Sequence, residues 1–524
     1  MIITEILERN ARCYGQETAL VERDPQRNRR RHITWEEFEE TANRVASALI
    51  QRGVEKEDRV MLLMRNCLEW LPLYFGILKT GAWAVPLNFR FTPEEIAYCA
   101  EVSEGKTLIF GEEFTGAISE IKGRLGKVKD YVCVGLEEGS PLFGERFEDF
   151  LDSGSSERPG GQISLLDDAA LYFTSGTTGM PKPVLLTHRN LEFSCVVENR
   201  HHNQTHEDVF LCIPPLYHAG AKMHWFGSFI VGGRGVILKG AKPGWILEAI
   251  SEERATIVWL LVPWAQDILV AIENGDIRLE DYQLEQWRLM HIGAQPVPPS
   301  LVKKWKEVFP GHEYDTNYGL CECTGPGVVH LGGENFHKVG AIGKPGFDWE
   351  CRIVGEAFED VPPGQVGELV VRGPGVMKEY YKNPEATGET VRGGWLLTGD
   401  MARYDEDGFI WLVDRKKDVI ISGGENIMPV EVEDFLMENE NIQDAAVIGL
   451  PDDRLGEVPA AIVKTKPGRG MGEEEVMAYC GGLPKYKRPR KIFFDDVPRN
   501  PTGKIEKPKL REKYAGFTES FKIQ

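Results

Sequence analysis

The stretch Leu171-Tyr-Phe-Thr-Ser-Gly-Thr-Thr-Gly-Met-Pro-Lys182 gathers four hydroxyls, Thr174, Ser175, Thr177 and Thr178, around Gly176 and Gly179, and ends on an amine. Glycines let backbone amides approach an anion closely, hydroxyls donate to its oxygens and the ammonium adds charge, so the pattern suits a phosphate. The spacing G-x-x-x-x-G-K-[ST] of the common nucleotide loop is absent, which argues against a motor-type ATPase. Without further context such a loop is an ordinary turn. Two other groupings invite a metal reading. Cys321 and Cys323 have no second pair at zinc spacing. His201, His202 and His206 lack supporting cysteines or carboxylates at ligand spacing, so a surface turn is expected there.

A strand must deliver that loop, and the surrounding sequence supplies the pattern. Thr34-Trp-Glu-Glu37 reads as a capping box ahead of Phe38, Ala42, Val45, Ala46 and Leu49 at helical spacing, with Gly53 closing the helix. Thr92-Pro93-Glu-Glu95 opens another helix. Apolar runs at 59–64, 107–110, 169–173, 256–262 and 289–293 read as buried strands, several of them entering Gly- or Pro-containing turns. Strands alternating with amphipathic helices predict an α/β fold with largely parallel sheets, whose ligands sit beyond the carboxyl ends of the strands. The charged run Asp414-Arg-Lys-Lys-Asp418 is the expected boundary. Beyond it, short strands at 419–422, 445–449 and 460–464 are expected to alternate with helices in a smaller α+β unit.

The 524 residues carry 81 acidic and 61 basic side chains, a net charge of −20, which argues against a nucleic-acid-binding protein. Hydrophobic residues make up 42%, enough for large cores. Ten scattered cysteines suit a reducing cytosol rather than a disulfide framework. The most apolar region, 60–87, is broken by Arg65, Glu69 and Lys79 and cannot be an uninterrupted membrane span. The first ten residues lack the apolar run of a signal peptide, and Phe521-Lys-Ile-Gln524 is neither a peroxisomal nor a lipidation address. A cytoplasmic location is therefore expected. The segment 484–513 is basic in this acidic chain and suits either a polyphosphate or plain solvent.

The loop at 171–182 resembles the phosphate-binding signature of the adenylate-forming superfamily, which includes acyl-CoA synthetases, adenylation domains of peptide synthetases and luciferases. Further segments resemble that family in order: Pro215-Leu-Tyr-His218-Ala-Gly220, Asn317-Tyr-Gly-Leu-Cys-Glu322, Gly394-Trp-Leu-Leu-Thr-Gly-Asp400, Asp414-Arg415, Ser422-Gly-Gly-Glu425-Asn-Ile and Pro501-Thr-Gly-Lys504-Ile. The resemblance implies a large N-terminal domain over 1–414, with mixed and parallel sheets flanked by helices, and a small mobile α+β domain over 415–524. It implies an AMP-forming acid:CoA ligase that uses ATP, Mg²⁺ and coenzyme A. Thr174, Ser175, Gly176, Thr177, Thr178, Gly179 and Lys182 would hold phosphates, and Glu322 the magnesium. Asp400 and Arg415 would serve the ribose, and Gly293, Ala294, Gln295, Asn317, Tyr318, Gly319 and Cys321 the rest of the nucleotide. Lys504 would be the main catalyst, with His218 at the carboxylate end. Lys417 matches the hinge, and Gly423, Gly424 and Glu425 the coenzyme A tunnel.

Walls of the acyl pocket are expected from His218, His224, Trp225, Phe226, Trp259, Leu261, Gly293 and the Cys321–Thr324 turn, Cys323 included. Bulky indoles there would shorten the pocket and favour a small, medium-chain or ring-containing acid, although Trp259 is equally suited to strand core. Two residues depart from the family pattern. Pro183 stands where Gly is usual and removes a backbone donor beside the loop; Cys321 replaces a commoner Thr. The partner is a small-molecule carboxylic acid, with a homodimer left open. The alternatives are an adenylation enzyme that loads a carrier protein, disfavoured because no carrier domain follows Lys504, and a non-catalytic acyl or nucleotide sensor, which would be expected to lose Lys504, Glu322 or Asp400.

Overall fold

The computed structural model describes residues 1–136, 143–174, 180–293, 297–423, 425–452, 454–499 and 505–514. These form two large sheets, of nine and eight strands, and two sheets of five. The nine-stranded sheet runs in the order Lys344–Pro345, Gly325–Leu331, Glu313–Leu320, Leu289–Gly293, Ile257–Leu261, Val209–Cys212, Arg234–Leu238, Thr18–Asp24, Arg29–Thr34. Its central strands are parallel, and antiparallel hairpin partners close both edges. In the eight-stranded sheet the strand Asp168–Thr174 lies beside Trp83–Pro86 in parallel, and beside Lys182–Thr187 antiparallel. Strands buried on both faces explain the unbroken apolar runs of the sequence.

One continuous core joins the two large sheets through helices Trp35–Gln51, Trp70–Lys79, His188–His202 and Ala219–Phe229. Every residue of Trp70–Lys79 is buried, including Lys79, whose Nζ reaches Glu39 Oε1 at 2.7 Å. A Cβ on Gly76 would stand 2.5 Å from Val45, so helices 35–51 and 70–79 touch through this hydrogen-only position. The capping box read from Thr34/Glu37 is formed, and the helix read as opening at Thr92 begins on a second one, with Glu95. No helix among the described residues is long and apolar enough to cross a membrane.

A five-stranded sheet over 350–415 carries Trp395–Tyr404 and Ile410–Arg415 as an antiparallel pair. The other five-stranded sheet lies wholly within 420–494 and has its own core clusters. The molecule is thus a large N-terminal domain followed by a smaller one. In the smaller domain the strands Ile442–Asp452 and Gly456–Thr465 form one long antiparallel hairpin, where sequence alternation suggested a helix between two shorter strands. A run of alternating Ala, Val and Ile fits a long strand as well as a short one, and only the pairing partner decides.

Helix Lys507–Tyr514, which follows the segment bearing Lys504, is fastened by Lys507 Nζ to Glu433 Oε1 at 3.0 Å, both side chains being about nine-tenths buried. Glu433 Oε1 also accepts from Val447 N–H at 2.7 Å. Removing one partner of a buried pair strands the other charge. Lys507→Met is expected to cost about 3 kcal/mol in urea denaturation followed by tryptophan-independent circular dichroism; an unchanged midpoint would show that the helix is held by its apolar face alone.

Candidate active site

The two arms of the proposed phosphate loop are a β-ladder in which Thr174 pairs with Lys182 and Phe173 with Pro183. Ser175, Gly176, Thr177, Thr178 and Gly179 lie outside the described residues. Pro183 sits inside the strand Lys182–Thr187, and its carbonyl accepts from Tyr381 N–H at 2.9 Å. A strand residue turns its N and its C=O to the same side. The donor that proline lacks therefore faces the two-residue strand Glu379–Tyr380, not the loop. Tyr380 of that strand ties two expected site residues together: Lys182 Nζ stands 5.2 Å from its ring centroid, and its hydroxyl donates to Glu322 Oε1 at 2.8 Å. Nothing in the sequence motif pointed to Tyr380.

Glu322 lies in the single turn Cys321–Cys323 that ends the strand Glu313–Leu320. The next residue, Thr324, is fully buried at φ +59°, a left-handed conformation that is costly for a β-branched side chain. Its N–H to Cys321 O at 3.0 Å and its Oγ1 to Gly375 O at 2.8 Å hold it there. Cys323 is buried, and Cys321 half-buried. With one oxygen engaged by Tyr380, the Glu322 carboxylate retains acceptor capacity for a cation, and its hard oxygen suits Mg²⁺.

Asp400 is buried at the point where three strands meet. Tyr318, on Glu313–Leu320, donates its hydroxyl to Asp400 Oδ2, and Arg415 Nε lies 2.5 Å from Oδ1. Asp400 and Arg415 are register partners in adjacent strands, so the sheet itself fixes this pair. Burial works against the Arg415 charge, yet Asp400 and Tyr318 outweigh it and hold its proton more tightly than usual. Burial, then Asp400, raise the Tyr318 hydroxyl well above an ordinary phenol, so it stays a donor. Gly293 closes the adjacent strand Leu289–Gly293; a Cβ there would lie 3.7 Å from Thr316 Oγ1 and 3.8 Å from Asn317 O. Gly319 is exposed at a bulge of the same ladder. Ala294 and Gln295 lie outside the described residues.

Past Arg415, Lys416 Nζ reaches Glu368 Oε2 at 2.9 Å, Asp414 Oδ2 accepts from Val430 N–H at 2.9 Å, and Asp418 Oδ1 accepts from Arg511 at 2.7 Å. Lys417 is exposed between them. Gly423 has φ +60°, as its turn requires, and Glu425 is exposed at the start of the strand Glu425–Ile427. Gly424 and Lys504 lie outside the described residues.

His218 stands at the N-terminus of helix Ala219–Phe229, half-exposed, its ring 4.2 Å from Tyr217. One helical turn on, Lys222 is fully buried and donates to Leu216 O at 3.0 Å and His218 O at 3.1 Å. Trp70, Tyr74 and Tyr172 surround its Nζ at 4.5 to 5.2 Å, and burial lowers its proton affinity sharply. Lys222 thereby locks the Pro215–Gly220 turn against Tyr172, two residues before Thr174. Trp259 remains beside the turn: a Cβ on Gly220 would meet its Cη2 at 3.4 Å. Trp225 does not. It packs in the core against Gly235 and Phe229, because residue 225 lies on the sheet-facing side of its helix.

The histidines expected in a surface turn disperse into separate contacts. His201 accepts from Phe347 N–H at 3.0 Å, and burial lowers it to about 4. His206 stacks on Tyr14 and pairs with Glu17. His202 is fully buried between Glu198 and Asp315, at 3.3 and 2.6 Å. Glu198 also meets His224 Nδ1 at 2.7 Å, and Asp315 bonds His291 Nδ1. Burial would raise Glu198, but His224 first, then His202 and His291, hold it down at about 2. A carboxylate depressed on folding contributes stability that is complete above its ordinary value of 4.5 and is lost as pH falls towards 2. Urea midpoints should therefore fall across that window, and fall less steeply in Glu198→Gln; parallel curves would show that Glu198 is not held ionised.

A family model described as AMP-binding enzyme matches residues 7–381, and the corresponding C-terminal domain model matches 431–504. A feruloyl-CoA synthase from Amycolatopsis sp is 35% identical over 487 residues, covering 92% of this chain and 94% of that one. The long-chain-fatty-acid–CoA ligase FadD13 of Mycobacterium tuberculosis (strain CDC 1551 / Oshkosh) is 31% identical, with 92% and 93% covered. Among solved structures, an anthranilate CoA ligase, AuaEII, in complex with anthranoyl-AMP superposes with a TM-score of 0.87 at 28% identity, over 98% of this chain and 97% of that one. Both domain matches and the near full-length relatives agree with the order of segments read from the sequence. The chain belongs to the AMP-binding enzyme family.

Proposed function

We propose that the protein is an AMP-forming acid:CoA ligase whose acid is small and ring-bearing. A carboxylate oxygen attacks the α-phosphorus of ATP, the bond to pyrophosphate breaks, and an acyl-AMP results. The thiolate of coenzyme A then attacks the acyl carbon and AMP leaves with the oxygen it gained. Both partners of the first step are anions, so the site must neutralise and align them.

The observation that carries the reading is the buried Asp400 between Tyr318 and Arg415. A carboxylate has about four lone-pair positions, and the phenol and guanidinium take one on each oxygen. The remaining pair is oriented and unspent, which suits the two vicinal hydroxyls of a ribose. Gly293 and Tyr318, with Ala294, Gln295, Asn317, Gly319 and Cys321, would border the base and sugar. The loop 174–179 and Lys182 would take the β- and γ-phosphates. Glu322 would hold Mg²⁺, which offsets phosphate charge. Lys504 would bridge the carboxylate and the α-phosphate, and His218 would border the carboxylate end.

The joint is placed at 414–418, dividing the chain into 1–414 and 415–524. Its contacts are polar, and the cores on either side are separate, an arrangement that suits reorientation between the two half-reactions. Lys417 would serve the joint, and Gly423, Gly424 and Glu425 would border the pantetheine arm. Trp259 at the Gly220 turn, and relatives named for feruloyl and anthranilate substrates, support a ring acid over a long chain. The reading places the enzyme in the cytoplasm.

AMP release across a panel of acetate, butyrate, octanoate, benzoate and cinnamates should require acid, ATP, Mg²⁺ and coenzyme A together. Lys504→Ala should lower the rate by about a hundredfold or more. Acid-dependent pyrophosphate exchange to which coenzyme A adds nothing would support a carrier-loading enzyme instead. A second test concerns the ribose: Asp400→Asn should raise the KM for ATP about tenfold while leaving that for coenzyme A within twofold, by loss of a charge-assisted bond. Equal changes in both would show that Asp400 only holds the strands together.

A further inference from the structure

Three imidazoles and two carboxylates form one unbroken buried chain, His224–Glu198–His202–Asp315–His291, each link a direct contact. The members come from helices His188–His202 and Ala219–Phe229 and strands Leu289–Gly293 and Glu313–Leu320, so the chain ties the acyl-side helix to the strands that flank the nucleotide. None is more than 5% exposed. Three of them, His202, His291 and Asp315, present ligand atoms within 4.8 Å of one another. Two ligands on one zinc ion at about 2 Å each stand about 3 Å apart. His202 Nε2 lies only 2.6 Å from Asp315 Oδ2, so the two form a direct ion pair with no room for an ion between.

His224 is the end of this chain that reaches towards the substrate. Its Nδ1 stands 2.7 Å from Glu198 Oε1, a carboxylate held ionised, so the hydrogen of a neutral His224 belongs on Nδ1. Nε2 is the other nitrogen, and in this tautomer it is an acceptor. It lies 3.8 Å from where a Cβ on Gly220 would stand, next to Trp259 Cη2 at 3.4 Å. Gly220 is half-exposed and two residues from His218. The rings of His224 and Trp259 meet edge to face at 4.3 Å. Gly220 therefore faces an indole edge and a single imidazole nitrogen, and, its chain neighbours and own helix backbone aside, no other atom of the described residues lies within 4 Å of where its Cβ would stand.

We infer that the acid carries a ring hydroxyl that donates to His224 Nε2, and that His224 sets the substrate class. The inference rests on the ligase reading. A ring without the hydroxyl would cover Nε2 and leave it unpaired, and a site built to bond a hydroxyl discriminates strongly against the analogue that lacks it. Glu198 is the positioning residue: it fixes the tautomer without meeting the substrate. His202, Asp315 and His291 hold Glu198 and the strands in place behind it.

The test compares matched acids, 4-hydroxycinnamate with cinnamate and 3- and 4-hydroxybenzoate with benzoate, by AMP release with ATP, Mg²⁺ and coenzyme A. In the wild-type enzyme at least one hydroxylated acid should exceed its parent in kcat/KM by about tenfold or more. In His224→Phe that ratio should fall to about one. Glu198→Gln should lower the ratio as well while the circular dichroism spectrum is kept. A wild-type ratio of one or less in every pair would overturn the inference with no variant needed, as would a ratio that survives His224→Phe. AMP release from other acids but from none of these pairs would overturn the inference and leave the ligase standing. Silence with every acid of the wider panel would overturn the ligase reading, and the inference with it.

Discussion

Asp400 is a buried carboxylate in a protein that already carries a net charge of −20. It is tolerable only because a guanidinium and a phenol meet it from neighbouring strands. Those contacts decide much else. Tyr318 belongs to the nine-stranded sheet, Asp400 and Arg415 to the five-stranded sheet that precedes the joint. Satisfying this charge therefore brings two sheets to one point and sets where the chain passes into its smaller domain. The joint continues in the same manner, through Lys416–Glu368, Asp414–Val430 and Asp418–Arg511. Polar links can be exchanged for water or for other partners at little net cost, which an apolar seam cannot. Such a seam would serve the reorientation proposed for the smaller domain.

The acyl side follows the same logic with different groups. Lys222 and the His–carboxylate chain are polar groups deep within an aromatic and aliphatic core, and each is matched by partners from other elements. Lys222 fixes the backbone of the turn that carries His218. Glu198 meets Nδ1 of His224. Neither need touch substrate; each makes a neighbouring group point one way. Thr324 does comparable work on the side proposed for phosphate, where a strained φ is held by two hydrogen bonds and aims the turn that carries Glu322. Burying these groups costs stability that the large apolar core supplies, and what is gained is orientation.

Much of this was legible in the sequence where a local rule decides. The capping box at Thr34 and the helix start at Thr92 form as read, and the run 289–293 is a strand to the residue, since a short apolar segment before a glycine has few other uses in an α/β chain. The ordered motifs identified the family. What escaped depends on three-dimensional neighbours. Trp225 and Trp259 look alike in sequence, but one faces a sheet and the other a turn. His202 read as part of a surface turn because Asp315, the carboxylate nearest to it, is far away in the chain; the spacing of four from Glu198 on one helix face was the available signal. Tyr380 lies outside every motif and is recruited by a two-residue strand. Pro183 departs from the family pattern, yet the strand turns its missing donor away from the loop, and no local rule predicts that side.

The central claim is that the acid's own oxygen forms the bond to the α-phosphorus of ATP. It is tested most directly by supplying an acid labelled with ¹⁸O in both carboxylate oxygens, together with ATP, Mg²⁺ and coenzyme A, and reading the products by mass spectrometry. The AMP should carry one labelled oxygen, the pyrophosphate none, and the thioester should keep the other. Unlabelled AMP formed in step with the thioester would contradict it.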